Sequence, residues 1–314
     1  MSKTKKPNYN SCYISGEVVD IRDAKILGEN ESWEKIQYKM DVEVAENQIV
    51  TVEVDKGFYG FDGNKKQQTV GLETICREVK TKVTDGQGDM VNCNCKIVSN
   101  EFYSKGKLIS QQKLMMDFCN REKADKKITP GTVWKAHVLI KEIVEKEDHI
   151  EVLGLTNEYM SAKSIKGGYI SFRIYDKEII EGFNATYKIG DVAPLEGEVK
   201  QVNEFKEFDV SKLEDLEMLP ETGFGSARAK AVEENKRRME INKQKAEMRE
   251  AGGKIVSETY FEITGGNEVL EGEALEESPF TPELIEEMEA KIEADLEKSK
   301  IRDINKNGGG EMPF

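Results

Sequence analysis

The sequence predicts a mainly β protein of two five-stranded barrels followed by a helical or disordered acidic C-terminal arm. Three observations carry that expectation. Apolar residues alternate with polar ones through most of the first two thirds of the chain, which is the period of a half-buried strand. The order of three strands, a helical stretch and further strands occurs twice. Beyond about residue 220 the apolar residues thin out and charged ones take over. The resulting division is a disordered basic N-terminus over 1–8, a first barrel over 9–127, a second over 128–220 and the arm over 221–314.

The first strand is expected near Cys12–Arg22, with Gly16 as its bend. Ile36, Tyr38, Met40, Val42 and Val44 then alternate with Lys35, Gln37, Lys39, Asp41 and Glu43, giving a strand with an inner and an outer face. Val50, Val52 and Val54 form its partner. Leu72, Ile75, Val79 and Val83 change to the spacing of one helix face. Alternation returns at Val91, Cys93, Cys95 and Ile97, and Leu108–Arg121 is the fifth strand. Tyr13 and Phe118 are expected in the core.

Thr129-Pro130-Gly131 opens the second series. Its strands are Val133–Ile143, His149–Leu155, Tyr169–Tyr175 and Tyr187–Val199, with a short helix at Lys177–Phe183 before the last. Phe205–Val210 is expected to close it. Both series resemble the OB-fold in element order. That resemblance implies a ligand face on the second and third strands, clamped by the loops between strands one and two and strands four and five.

Single-stranded nucleic acid needs cations for phosphates and aromatic faces for bases, the latter worth ~1–3 kcal/mol per base. The first series offers Trp33, Lys35 and Lys39 by its second strand, and Phe102, Tyr103, Lys105 and Lys107 around the last turn. Phe58, Tyr59, Phe61, Lys65 and Lys66 share a glycine-containing loop. The second series offers Lys163, Lys166, Tyr169, Arg173 and Tyr175. Residues 1–130 hold 21 Lys or Arg against 20 Asp or Glu, a balance that favours single strands over duplexes.

The formal net charge is -14, and no apolar run approaches the ~18 residues of a membrane helix. No apolar segment follows the basic N-terminus, so the expected location is cytoplasmic. The five cysteines are an odd number in a long chain, and Cys93-Asn94-Cys95 lacks the spacing of a zinc knuckle; both thiols are expected on the inner face of one strand. Neither a P-loop nor a Gly-x-Ser-x-Gly elbow occurs, and His137 and His149 are the two histidines, so neither catalysis nor a cofactor is expected.

In the arm, Ser226–Glu250 has high helix propensity and recurring opposite charges. Tyr260–Ile263 reads as a short strand or docking patch. From Ile255 to Ala290 there are eleven Glu and no Lys or Arg, a composition that predicts disorder. Pro282–Ile301 reads as a helix capped by Thr281. The chain ends Glu311-Met312-Pro313-Phe314 after three glycines. This ending, behind an acidic arm and two OB-like series, resembles that of bacterial and bacteriophage single-stranded DNA-binding proteins. The resemblance implies single-stranded DNA or RNA as ligand. It also implies replication, recombination and repair proteins as partners of the tip, with Glu311 the acidic element, Met312 the aliphatic one, and Pro313 and Phe314 the anchor. The family tip carries a run of aspartates where this one has a single glutamate. Two barrels in place of one point to a divergent, phage-encoded member. The alternative reading is a protein-interaction adaptor or phage-encoded inhibitor that uses the barrels as docking surfaces.

Overall fold

The computed structural model describes residues 10–29, 31–60, 62–160, 165–207, 215–220, 226–251 and 253–307. Expectations for the N-terminus, Phe61, Lys163 and the 311–314 tip therefore lie outside the described residues. The described chain forms two compact units, one within Met1–Lys200 and Tyr260–Phe314, the other Gln201–Thr259.

In the larger unit, β1 (Asn10–Leu27), β2 (Lys35–Ala45), β3 (Gln48–Gly57), β4 (Met90–Ser104) and β5 (Lys107–Arg121) follow the alternation. Ile36, Tyr38, Met40, Val42 and Val44 are all buried. The strand order is β2-β3-β5-β4-β1, and a β1–β2 pairing closes these five into a ring. Glu17 of β1 pairs with both Glu43 of β2 and Met90 of β4. Gly16 lets β2 approach this closely: a Cβ there would lie 2.0 Å from the Glu43 carbonyl oxygen. Helix α1 (Gln67–Glu78) buries Leu72 and Ile75, and Tyr38 Oη donates to the Leu72 carbonyl at 3.0 Å. The helical face stops short of expectation. Val79 is extended, a separate turn α2 (Lys82–Asp85) follows, and Val83 is exposed.

The second series is β6 (Gly131–Glu145), β7 (Ile150–Met160), β8 (Ile165–Ile174), α3 (Lys177–Thr186), β9 (Val192–Glu207) and β10 (Gly253–Gly266). Its order is β6-β7-β8-β10-β9, with a β6–β9 pairing joining the ends. The remaining strand of the ring is β10; of the expected strand Phe205–Val210, Phe205–Glu207 extend β9, and residues 208–210 lie outside the described residues. β10 runs parallel to β8, with Phe261 opposite Phe172. Trp134, Phe172 and Phe261 are fully buried, with centroids 4.9, 6.5 and 6.2 Å apart. A β1–β6 pairing makes the two series one continuous ten-stranded sheet. Asn10 adds a tie, donating to the carbonyls of Ile97 and Asn157 and accepting from Ile97 N–H.

The acid-rich stretch is part of the fold, contrary to the disorder expected from its composition. Besides Phe261 and Ile263, it places Phe280 and Met288 against Leu139, Leu155, Ile165 and Val192. Phe280 lies between α5 (Gly272–Glu277) and α6 (Pro282–Asn307). Composition averages over a window, and here a few apolar residues at strand and helix spacing suffice. Tyr13 and Phe118 are a second correction: they are 43% and 45% exposed. Their neighbours Cys12, Ile14 and Cys119 take the inner positions, so strand parity turns both aromatics outward. Cys93 and Cys95 do face inward, as does Cys12, whose thiol burial raises in pKa.

In the smaller unit, α4 (Ser226–Ala251) holds residues 215–220 by their backbone. Asn235 exchanges two hydrogen bonds with Leu219 N–H and C=O, and Asn242 does the same with Leu216. Arg238 donates to the Glu217 carbonyl between them. Among the described residues no helix is long and apolar enough to cross a membrane.

Candidate nucleic-acid interface

The β2–β3 outer face of the first ring is an ion-pair ladder. Lys35 meets Asp55 at 3.0 Å and Lys39 meets Glu53 at 3.7 Å. Lys113 reaches the same Glu53 at 2.8 Å, while Lys56 and Lys96 share Asp117 at 2.5 and 3.2 Å. Period two explains the pattern, since outward positions of neighbouring strands face each other and this sequence fills them with opposite charges. Each predicted cation there is paired with a carboxylate for which a phosphate would have to compete, although Glu53 and Asp117 each serve two lysines.

Trp33 is 61% exposed in the β1–β2 loop. Gly28, at φ 66°, lets the ring approach: a Cβ there would lie 2.6 Å from it. Phe58 is buried at 1% exposure and belongs to the core, so it offers no face to a base. Half-buried Tyr59 sits beside it, with Lys65 Nζ 5.2 Å from the Phe58 ring centre and 5.7 Å from that of Tyr59. Lys66 is exposed, and its backbone N–H binds the Phe58 carbonyl.

The β4–β5 turn is covered by α6. Lys105 and Gly106, at φ 52° and 75°, make the two-residue turn of a left-handed pair. Their N–H groups donate to Asp303 Oδ1 at 2.9 Å and Oδ2 at 2.7 Å. Successive N–H groups converging on one carboxylate form an anion cradle. Tyr103 N–H donates to Ser299 Oγ at 2.8 Å, and Lys300 Nζ is 5.9 Å from the Tyr103 ring centre. Phe102 is half-buried; the Lys105 and Lys107 side chains stay exposed.

On the second ring, α6 also covers Tyr169, whose hydroxyl donates to Glu289 Oε1 at 3.1 Å. Burial first, then the Glu289 charge, pushes the Tyr169 hydroxyl up to about 12. Lys141, at 2.6 Å, holds the Glu289 carboxyl below its usual range. Lys166 pairs with Glu158 at 2.9 Å, and Glu158 also accepts the Ser99 N–H. Burial raises the Glu158 carboxyl despite those partners.

The far end of the same β7–β8 face is different. Arg173 lies 5.0 Å above the Tyr260 ring, Tyr260 is 5.6 Å from Tyr175, and Tyr175 is 5.0 Å from His149. All four are half-buried, presenting both ring surface and charge. His149 bonds Asp148 at 2.7 Å, which holds that carboxyl low. Sequence reasoning found Arg173 and Tyr175 but not Tyr260 or His149 as members of the site. The signal for Tyr260 is its place beside Phe261 and Ile263, whose alternation marks a strand.

Comparison with known proteins gives a distant likeness to solved structures. The wild-type single-stranded DNA binding protein of Thermus aquaticus and a deletion mutant of it each align at a TM-score of 0.38 and 7% identity, covering 62% of this chain and 87% of theirs. No curated protein matches the sequence. A family model does match, over residues 8–303, and by that span the chain belongs to the YorF family.

Proposed function

We propose that the two rings act as OB-like barrels and that the chain binds single-stranded DNA with little sequence preference, as a non-catalytic protein. The observation that carries the reading is the Arg173–Tyr260–Tyr175–His149 cluster. It sits by the second and third strands of its ring, the face on which OB-folds engage oligonucleotides. Its rings give bases a stacking surface and its guanidinium adds a cation, which suits strands whose bases are unpaired. The near-neutral balance of residues 1–130 argues against a duplex binder led by phosphate contacts. In this reading the 311–314 tip recruits replication and recombination proteins to the bound strand, at an effective concentration set by its tether.

The test is a gel-shift series with oligo-dT, oligo-U and a duplex of equal length at low salt. Retarded oligo-dT with free duplex supports the reading. Equal or stronger retardation of the duplex sinks it.

A further inference from the structure

A second aromatic surface lies on the outer face of β6-β1-β4-β5. In strand register, Val133 of β6 pairs with Tyr13 of β1, Tyr13 with Asn94 of β4, and Asn94 with Phe118 of β5. This single row crosses four strands and spans the junction of the two rings. Its three large side chains are each exposed by more than two fifths: Val133 48%, Tyr13 43% and Phe118 45%. The folded core makes no use of them.

We infer that this outer face of β6-β1-β4-β5 is a second binding surface for the same single-stranded nucleic acid, with Tyr13 and Phe118 as its stacking rings. The inference rests on the single-strand reading above and extends it to a face that OB-folds do not ordinarily use. A four-stranded sheet with aromatic residues on its open side is a general solution for stacking two or three bases. Tyr13 and Phe118 are two strands apart, about 10 Å at the usual strand spacing, which leaves room for a base on each.

The chemistry around the rings favours nucleic acid. Asn94 stands between them, and the next row runs Ser15, Asn92 and Asn120, with Asn92 donating to Ser15 Oγ at 2.7 Å. Amides and hydroxyls offer both donors and acceptors to base edges. Neither row contains a carboxylate, in a chain with 60 Asp and Glu. The other margin brings Lys135, paired with Glu196 at 2.6 Å. Such a surface pair is worth at most about 1 kcal/mol, so a phosphate can exchange into it. The apolar content suits bases better than a protein partner: three partly exposed side chains fall well short of the core of an ~800 Å² interface.

The test uses the full chain and iodouracil-substituted oligo-dT, with photo-crosslinks mapped to peptides, beside binding titrations of Tyr13→Ala and Phe118→Ala. Melting curves check that each variant folds, and Tyr13→Phe and Phe118→Tyr keep an aromatic at each place. The expected result is crosslinks at Tyr13 and Phe118, and a roughly 5- to 150-fold loss of affinity for each alanine variant with binding kept by the aromatic ones. Crosslinks confined to Tyr175 and Tyr260, with alanine variants binding as the parent does, overturn this inference and leave the single-strand reading standing. No oligo-dT binding by the parent overturns both. Unchanged oligo-dT binding together with loss of a nuclease-resistant protein partner assigns the face to protein docking and overturns the inference.

Discussion

The carboxylate of Asp303 accepts the backbone N–H of Lys105 at 2.9 Å, across a sequence separation of 198 residues. The same carboxylate takes the Gly106 N–H, so one side chain closes the turn that the OB resemblance nominates as a clamp. The helix that carries it is anchored elsewhere: Leu284, Ile285, Met288 and Ile292 pack into the core cluster, whereas Ile301 and Ile304 are exposed. The distal half of α6 is thus held mainly by polar contacts. Asp303→Ala should speed hydrogen exchange at Lys105 and Gly106. It should also raise affinity for oligo-dT by on the order of 5-fold, the ~1 kcal/mol of an exposed charged contact. Lower affinity would mean that Asp303 orders the clamp and does not obstruct it.

Tyr260 bridges Arg173 and Tyr175, so its removal takes away a stacking face and the seat of the guanidinium. Tyr260→Ala should weaken oligo-dT binding roughly 5- to 150-fold, and Arg173→Ala by a smaller factor, since a cation–π contact at an exposed site is worth ~0.5–1 kcal/mol. Isothermal titration of both variants checks the ranking.

Phe261 is 1% exposed against Trp134 and Phe172. Truncating a buried phenylalanine to alanine costs about 3–5 kcal/mol, through lost transfer energy and the cavity left behind. Urea unfolding of Phe261→Ala should show a loss of that size. A residue in a disordered arm would show none.

His137 carries a pH prediction. Burial lowers its pKa from 6.5 to about 4, so the unfolded chain binds more protons between those values. The stability associated with keeping it neutral is fully present above pH 6.5 and is lost as pH falls toward 4. Melting temperature should fall as pH is lowered across that window, and His137→Gln should flatten the fall.

Strand parity was the most readable signal in this sequence. It located β1 through β5, the inward cysteines and the two outward lysines Lys35 and Lys39, because alternation is local and each strand has one wet face. Parity also holds the answer for Tyr13, which stands between the inward Cys12 and Ile14. Long-range pairing was not readable. β10 enters the sheet beside β8 although 89 residues separate Phe261 from Phe172, and no local pattern encodes that partner. The same limit hid the site. Arg173 on β8 and Tyr175 just past its end are visible in the sequence, but the ring that joins them arrives from a segment whose average composition is acidic. Charge counting yields the near-neutral balance of residues 1–130; that the lysines of the outer face meet carboxylates, two of them shared, follows from register.

The most direct measurement is a fluorescence titration of the full chain with oligo-dT at two salt concentrations, for the parent and for a Tyr175→Ala, Tyr260→Ala double variant. The account predicts Trp33 quenching on saturation, a salt slope shallower than about -3 for few phosphate contacts, and marked weakening in the double variant. Oligo-dT left unbound by micromolar protein at low salt, or bound equally by the double variant, would contradict it.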